Sequence, residues 1–384
     1  MKRYSVIFLL VLSMLIFAGC SQSASTNQNV IKIGVNYELS GKVATYGQSS
    51  VEGIELAIEQ INEAGGINGK KIQLVKYDNK SEASEATTLA TRLMTQDKVV
   101  AVLGPATSGA FMATIPVANQ NKVPVISGSA TANNVTVDDN GVKEYAFRIC
   151  FTDSQQGSAA ATFALENLSS KKAVIIMDSS SDYAKGLADA FTSTFEAGGG
   201  TIVAQEAYME GDTDFNAVLT SIKGKDFDVI YIPGYYNEAG LIIKQARAQG
   251  INVPVVGADG FDSPKLAELA GADALNDVYF TNHYSSVDSS SLVAEFVKAF
   301  KAKYNKEPDA FGALGYDLGR FVADALSRAE KADGESLKKA IEATENFEGV
   351  TGNMSVDENH NVVKDIIVIE LKDGQQYKTY RVTE

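Results

Sequence analysis

Five short segments hold the residue types that could bind a small charged molecule. Gly104-Pro105-Ala106-Thr107-Ser108-Gly109 and Ser127-Gly128-Ser129-Ala130-Thr131 are small and hydroxyl-rich. Asp178-Ser179-Ser180-Ser181-Asp182-Tyr183, Pro233-Gly234-Tyr235-Tyr236-Asn237-Glu238 and Gly257-Ala258-Asp259-Gly260-Phe261-Asp262 add acids and tyrosines. Hydroxyls beside the free N–H groups of a helix start make a site for a carboxylate. An acid facing a cleft, Asp259 or Asp262, can take an ammonium group. Tyr183, Tyr235 and Tyr236 offer flat, partly polar walls suited to closing over a small molecule. Taken alone, each loop reads more simply as a cap, a turn or core packing. The combination points further, because carboxylate donors and an acid in one cleft would hold the two ends of an α-amino acid.

The elements that must position these loops are legible as an alternation. Ile31–Tyr37, Ile72–Tyr77, Val99–Leu103 and Val123–Ser127 read as strands. Between them, Ser49–Ala64, Ala83–Thr95 and Ser108–Asn119 carry helical patterns, with Val51, Ile54, Ile58 and Ile61 on one face of the first. A second series follows. Lys172–Met177, Thr201–Ala207, Asp228–Ile232, Val253–Gly257 and Val278–Thr281 are predicted strands, and Tyr183–Ala197, Phe215–Ile222 and Asn237–Gln249 predicted helices. Such alternation predicts an α/β fold with two doubly wound parallel sheets. In open α/β sheets, ligands bind where strands end and loops lead into helices, and all five segments lie there. The chain closes on three predicted helices (Ser289–Tyr304, Gly312–Ala329, Glu335–Ala343) and a hairpin. The hairpin, Val363–Leu371 and Gln376–Val382 about an Asp373-Gly374 turn, either extends the second sheet or helps form the hinge.

The first twenty residues predict the compartment. Lys2 and Arg3 precede an apolar run, Ser5 to Phe17, that is too short to span a membrane, and Phe17-Ala18-Gly19-Cys20 ends it. This is a secretory signal over 1–19, followed by a polar tether over 20–29. Cys20 stands where a bacterial lipobox places its acylated thiol, although Phe17 replaces the usual Leu. Loss of residues 1–19 takes the net charge from −14 to −16, which disfavours nucleic acid and anionic lipid as partners. With Cys20 lipidated, Cys150 is alone and no intrachain disulfide forms. Two histidines, His283 and His360, read as surface residues near domain crossovers, are too few for a His/Cys zinc site.

The loops and their order resemble type I periplasmic binding proteins, specifically the leucine/isoleucine/valine-binding proteins of branched-chain amino acid ABC transporters. The resemblance runs from about Ile31 to Val382 and is carried by IKIGVNYELSGKVATYGQ, VLGPATSG, SGSATAN, FRICFTDSQQG, SSDYAKGLA, GDTDFNAVLTSIK, PGYYNEAGLIIKQAR, VGADGFDS and FEGVTGNMSVDENHN. Several of these read like the lipoproteins of low-GC Gram-positive bacteria, implying an anchor on the outer face of the cytoplasmic membrane. The resemblance implies two lobes, 30–152 with 284–352 and 153–283 with 353–384, joined by three hinge crossovers near Thr152, Asn282–His283 and Thr351–Ser355. It implies that Ser108 binds the ligand carboxylate, with a backbone group of Ser129 and the hydroxyl of Thr131. It implies that Tyr183 and Tyr235 close over the ligand from the second lobe, and that Asp259 pairs with the α-ammonium. Tyr46, and Phe311 less directly, would line the side-chain pocket. The family's cysteine pair is missing; Asn79 and Thr107 lie near its places.

The resemblance therefore implies a monomeric binding protein that needs no cofactor and no metal, and that hands an amino acid to ABC permease subunits. An enzyme is the first rival, but G-x-S-x-G, Walker and G-x-G-x-x-G signatures are absent. A related binding module for another amino acid, an amide or an aromatic acid, or a sensor, is the second.

Overall fold

The structure, a computed structural model, describes residues 30–286 and 290–382. The predicted signal (1–19), Cys20 and the tether (20–29) lie outside the described residues. The first half winds through β1 (Val30–Tyr37), α1 (Ala44–Glu63), β2 (Lys71–Asp78), α2 (Ala83–Arg92), β3 (Val102–Leu103), α3 (Ser108–Asn121) and β4 (Val125–Ser127). A small hairpin, β5 (Val137–Asp138) and β6 (Gly141–Val142), then leads to β7 (Ala146–Arg148). These form a five-stranded sheet of order β2-β1-β3-β4-β7, with β1, β3, β4 and β7 parallel.

The second series is α4 (Asp153–Glu166), β8 (Lys172–Asp178), α5 (Asp182–Ala197), β9 (Thr201–Tyr208), α6 (Asn216–Ile222), β10 (Val229–Ile232), α7 (Tyr236–Ala248), β11 (Val255–Gly257), α8 (Pro264–Ala270) and β12 (Val278–Asn282). Then come α9 (Ser291–Tyr304), α10 (Ala310–Arg328), α11 (Gly334–Glu342), the pair β13 (Phe347–Gly349) and β14 (Gly352–Met354), and the closing hairpin β15 (Ile366–Lys372) and β16 (Gln375–Val382). The second sheet has order β16-β15-β12-β11-β10-β8-β9. Strands β8 to β12 are parallel, while β15 lies antiparallel on β12. The hairpin thus extends this sheet, and the segment before it reaches back to the end of β7, where Lys364 Nζ donates to Ile149 O.

Both sheets are built from near-continuous buried runs, such as Val229–Ile232 and Val255–Gly257, as expected when helices cover both faces. Two helices of the first lobe approach unusually closely. A Cβ on Gly53 of α1 would lie 2.0 Å from Gly312 O, and one on Gly315 of α10 would lie 2.0 Å from Ser50 O. Only glycine allows that approach. The two helices run side by side in the same direction, so Tyr46 and Phe311 in their first turns meet face to face, 4.2 Å between ring centroids.

Two helices, α4 and α8, have no counterpart in the expected series. The buried face of α4 includes Asp153, Gln156 and Gly157 beside Ala159, Ala160, Ala161 and Phe163. Polar and small residues therefore occupy positions where an amphipathic pattern would need large apolar ones. Both histidines also depart from expectation. His283 and His360 are each 5% exposed, and each ring stacks on a phenylalanine, Phe151 and Phe147 respectively. Aromatic stacking and internal hydrogen bonds hold them inside the molecule.

Candidate functional site

The loops after β3, β4, β11 and at the starts of α1, α5, α7 and α10 converge on one enclosed space. It is lined by Tyr46, Ala106, Thr107, Ser108, Ser129, Tyr183, Tyr235, Asp259, Gly260 and Phe311. The space amounts to about 230 Å³.

The first lobe contributes N–H and hydroxyl donors. Ser108 opens α3, and the first N–H groups of a helix have no intrahelical acceptor. Its Oγ accepts from Ala132 N at 3.1 Å, which leaves its own proton to donate. Ser129 Oγ donates to Ala106 O at 2.9 Å, tying the second hydroxyl loop to the first. Beneath this loop lies Arg148, 1% exposed, whose Nη1 donates to the carbonyls of Ala130, Thr131 and Ala132. Glu38 is also fully buried and accepts from Ala106 N, Thr107 N and Thr107 Oγ1. Burial pushes its carboxyl up, and the N–H groups it accepts from partly offset that.

The second lobe contributes the acid and its supports. Asp259 follows β11 and is 4% exposed. Its Oδ1 accepts the Tyr183 hydroxyl at 2.7 Å, its Oδ2 lies 3.2 Å from His283 Nε2, and its backbone N donates to Gln156 Oε1 at 2.7 Å. Tyr183 stacks on Tyr235 with centroids 5.1 Å apart. Burial raises the hydroxyls of Tyr46, Tyr183 and Tyr235 well above the ordinary phenol value, so all three are neutral donors.

The structure thus brings seven of the eight candidate residues to one cavity: Ser108, Ser129, Tyr183, Tyr235, Asp259, Tyr46 and Phe311. Thr131 is not among its walls. Its buried hydroxyl sits beside Asp153, whose carboxyl burial raises well above the ordinary range while the Thr131 contact works the other way. Sequence reasoning missed Thr107 and Gly260 as walls, and Gln156 and His283 behind Asp259. The capping box of Thr152 and Gln155 at the head of α4 is the signal that marks Gln156 as helical. Nothing in the sequence pairs His283 with Asp259.

The lobes are latched around the cavity. Tyr46 Oη donates to Gly260 O at 2.5 Å, Thr45 Oγ1 and Ser263 Oγ are 3.0 Å apart, and Lys42 O accepts from Tyr236 Oη and Asn237 Nδ2. Asp262 Oδ2 reaches across to accept from Ala310 N at the head of α10, at 2.9 Å. Among the described residues no helix is long and apolar enough to cross a membrane, and no group of acids, histidines and cysteines is placed to hold a metal ion.

Comparison with known proteins agrees with this fold. A family model described as a periplasmic binding protein matches residues 30–376. The substrate-binding protein LivJ of a branched-chain amino acid transporter from Streptococcus pneumoniae, solved with isoleucine, is 44% identical. It superposes with a TM-score of 0.87 over 92% of this chain and 99% of its own. A leucine-binding protein LivK from Thermotoga maritima is 35% identical, with a TM-score of 0.84 over 91% and 97% of the two chains. The Leu/Ile/Val-binding protein BraC3 of Rhizobium johnstonii is 32% identical over 85% of this chain and 88% of its own length.

Proposed function

Because the chain belongs to the periplasmic binding protein family, we propose that it captures leucine, isoleucine or valine outside the cytoplasm and delivers it to the permease of an ABC importer. The observation that carries this reading is that Ser108 at the head of α3 and Asp259 after β11, from opposite lobes, line one cavity with the Tyr46–Phe311 stack. The α3 N–H groups and the Ser108 and Ser129 loops hold the carboxylate. Asp259, oriented by Tyr183, holds the ammonium, and the aromatic pair covers the apolar side chain. Thr131 supports its loop from behind the cavity wall.

Binding is a population shift. An amino acid bridging the lobes contacts both halves of the site only when they close, so it favours the closed form by its differential affinity. The permease then recognises that form. No bond of the ligand is made or broken. The chain acts as a monomer without cofactor, fastened by lipid on Cys20 to the outer face of the cytoplasmic membrane of a Gram-positive bacterium.

The test is calorimetric titration of the chain from residue 21 onward, stripped of carried-over ligand by unfolding and refolding, against the twenty amino acids. Micromolar or tighter binding of Leu, Ile or Val alone supports the reading. Binding of a different amino acid keeps the mechanism and changes the cargo, whereas no binding by any of the twenty overturns the zwitterion grip and makes an amide or aromatic acid the cargo to try.

A further inference from the structure

We propose that His283 is the positioning residue for Asp259, holding its carboxylate for the ligand's ammonium and making capture weaken in acid. The inference rests on the reading of Asp259 as the ammonium acceptor and adds to it the group that sets its orientation and proton dependence.

The geometry carries the argument. His283 lies on the second crossover, immediately after β12, with its side chain 1% exposed. Nε2 is 3.2 Å from Asp259 Oδ2, while Nδ1 is buried with no hydrogen-bond partner. A neutral ring with one nitrogen facing a carboxylate and the other facing nothing carries its proton on the first, so Nε2–H donates to Asp259. Tyr183 Oη already occupies Oδ1 at 2.7 Å. The two donors fix the carboxylate plane from two sides, as support behind a binding group must. The ring in turn is fixed by stacking on Phe151 of the first crossover, 3.6 Å between centroids and 13° between planes. Ligand acid, second crossover and first crossover therefore form one continuous contact.

The charges around the ring set the sign of the pH effect. Asp259 favours the imidazolium, whereas burial, the larger influence, and Lys364, just before β15, oppose it. Asp365 and Arg381 line a separate cleft that His283 also borders. Burial lowers the pKa of His283, so the ring is neutral at physiological pH and the grip intact. Acidification through its folded value charges the ring. An imidazolium paired with Asp259 then competes with the incoming ammonium, and affinity falls. By linkage, the bound ammonium makes protonation of His283 harder still.

The test uses three variants and a spectrum. His283→Phe keeps a ring to stack on Phe151 and removes the donor; leucine affinity at neutral pH should fall roughly 10- to 100-fold, the range for a lost hydrogen bond to a charged group. His283→Gln restores a donor of similar reach. It should recover most of that affinity while losing the decline in acid expected of the wild type. The chain has two histidines, so proton NMR gives two C2–H titrations, separated by the variants. Leucine should lower the His283 midpoint and leave that of His360 unmoved. Wild-type affinity in His283→Phe, or a His283 midpoint indifferent to leucine, overturns the proposal. Asp259→Ala separates the two failures. If it abolishes binding while His283→Phe binds normally, only the role of His283 falls; if it binds normally, the underlying reading of Asp259 falls as well.

Discussion

Removing one oxygen from Tyr46 should open the protein without unfolding it. The Tyr46 hydroxyl donates to Gly260 O across the lobe interface at 2.5 Å and receives a longer contact, 3.4 Å, from Tyr236 N. Its ring stacks on Phe311 and meets Tyr235 and Tyr236 edge-on. Tyr46→Phe keeps every ring contact and deletes only the hydroxyl. In the closed form Gly260 O, on a buried residue, is then left without its donor, at a cost of about 1–3 kcal/mol. In the open form the same carbonyl meets water and the cost vanishes. The penalty therefore falls on closure, which shifts by about 5- to 150-fold. Because the ligand is held only in the closed form, its apparent Kd should rise by the same factor, mostly through faster release. Calorimetry with stopped-flow dissociation measures both, and thermal unfolding of the ligand-free protein provides the control. Unchanged affinity, or an affinity loss matched by an equal loss of folding stability, would refute the reasoning.

Other perturbations follow from the same contacts. Asp259→Ala should weaken leucine binding by about 2–5 kcal/mol in calorimetry while leaving the circular dichroism spectrum intact, since the ammonium then lies desolvated and unpaired. Asp309, the N-cap of α10, has its carboxyl pushed up to about 7 by burial and by the neighbouring Asp262, so the folded state holds a proton that the unfolded chain releases near pH 4. The associated stability is present below about pH 4 and is lost as pH rises toward 7, and Asp309→Asn should flatten that window in urea titrations. Gly315→Ala places a Cβ 2.0 Å from Ser50 O and should destabilise by about 1–3 kcal/mol in denaturant, loosening the Tyr46–Phe311 stack as the helices separate. Cys20→Ala should move the protein from the membrane fraction to the medium; retention in the membrane would show a different anchor.

The fold was legible where local pattern and burial agree. The short runs Val229–Ile232, wholly apolar, and Val278–Asn282, apolar as far as Phe280, are buried throughout and read as strands. The helix α4 was not legible, because its inward face serves polar chemistry: Gln156 supports Asp259, and a Cβ on Gly157 would lie 2.6 Å from Leu187 O of α5. Strand β7 is three residues long and ends in the buried Arg148, which no hydrophobic count would place in a core. Within the site, the hydroxyl loops, the acid and the tyrosines were readable as residue types at strand ends, a consequence of open-sheet topology. The supporting layer was not. His283 is 24 residues from Asp259, Glu38 is 68 from Ala106, and Asn361 is 213 from Arg148. Those pairings are set by how the crossovers return, which local sequence does not encode. Thr131 lies in the same hydroxyl loop, but its hydroxyl sits beside Asp153 and outside the cavity walls.

The central claim is that two lobes grip the two charged ends of one amino acid. Calorimetry with leucine, 4-methylpentanoate and 3-methylbutylamine on ligand-stripped protein tests it most directly, because the three share the apolar tail and differ only in the ends. Leucine should bind, and each analogue should be about 30-fold weaker or worse, since each leaves one buried partner group without its charge. An analogue that binds as tightly as leucine would contradict the two-ended grip and reduce the cavity to a pocket for its tail.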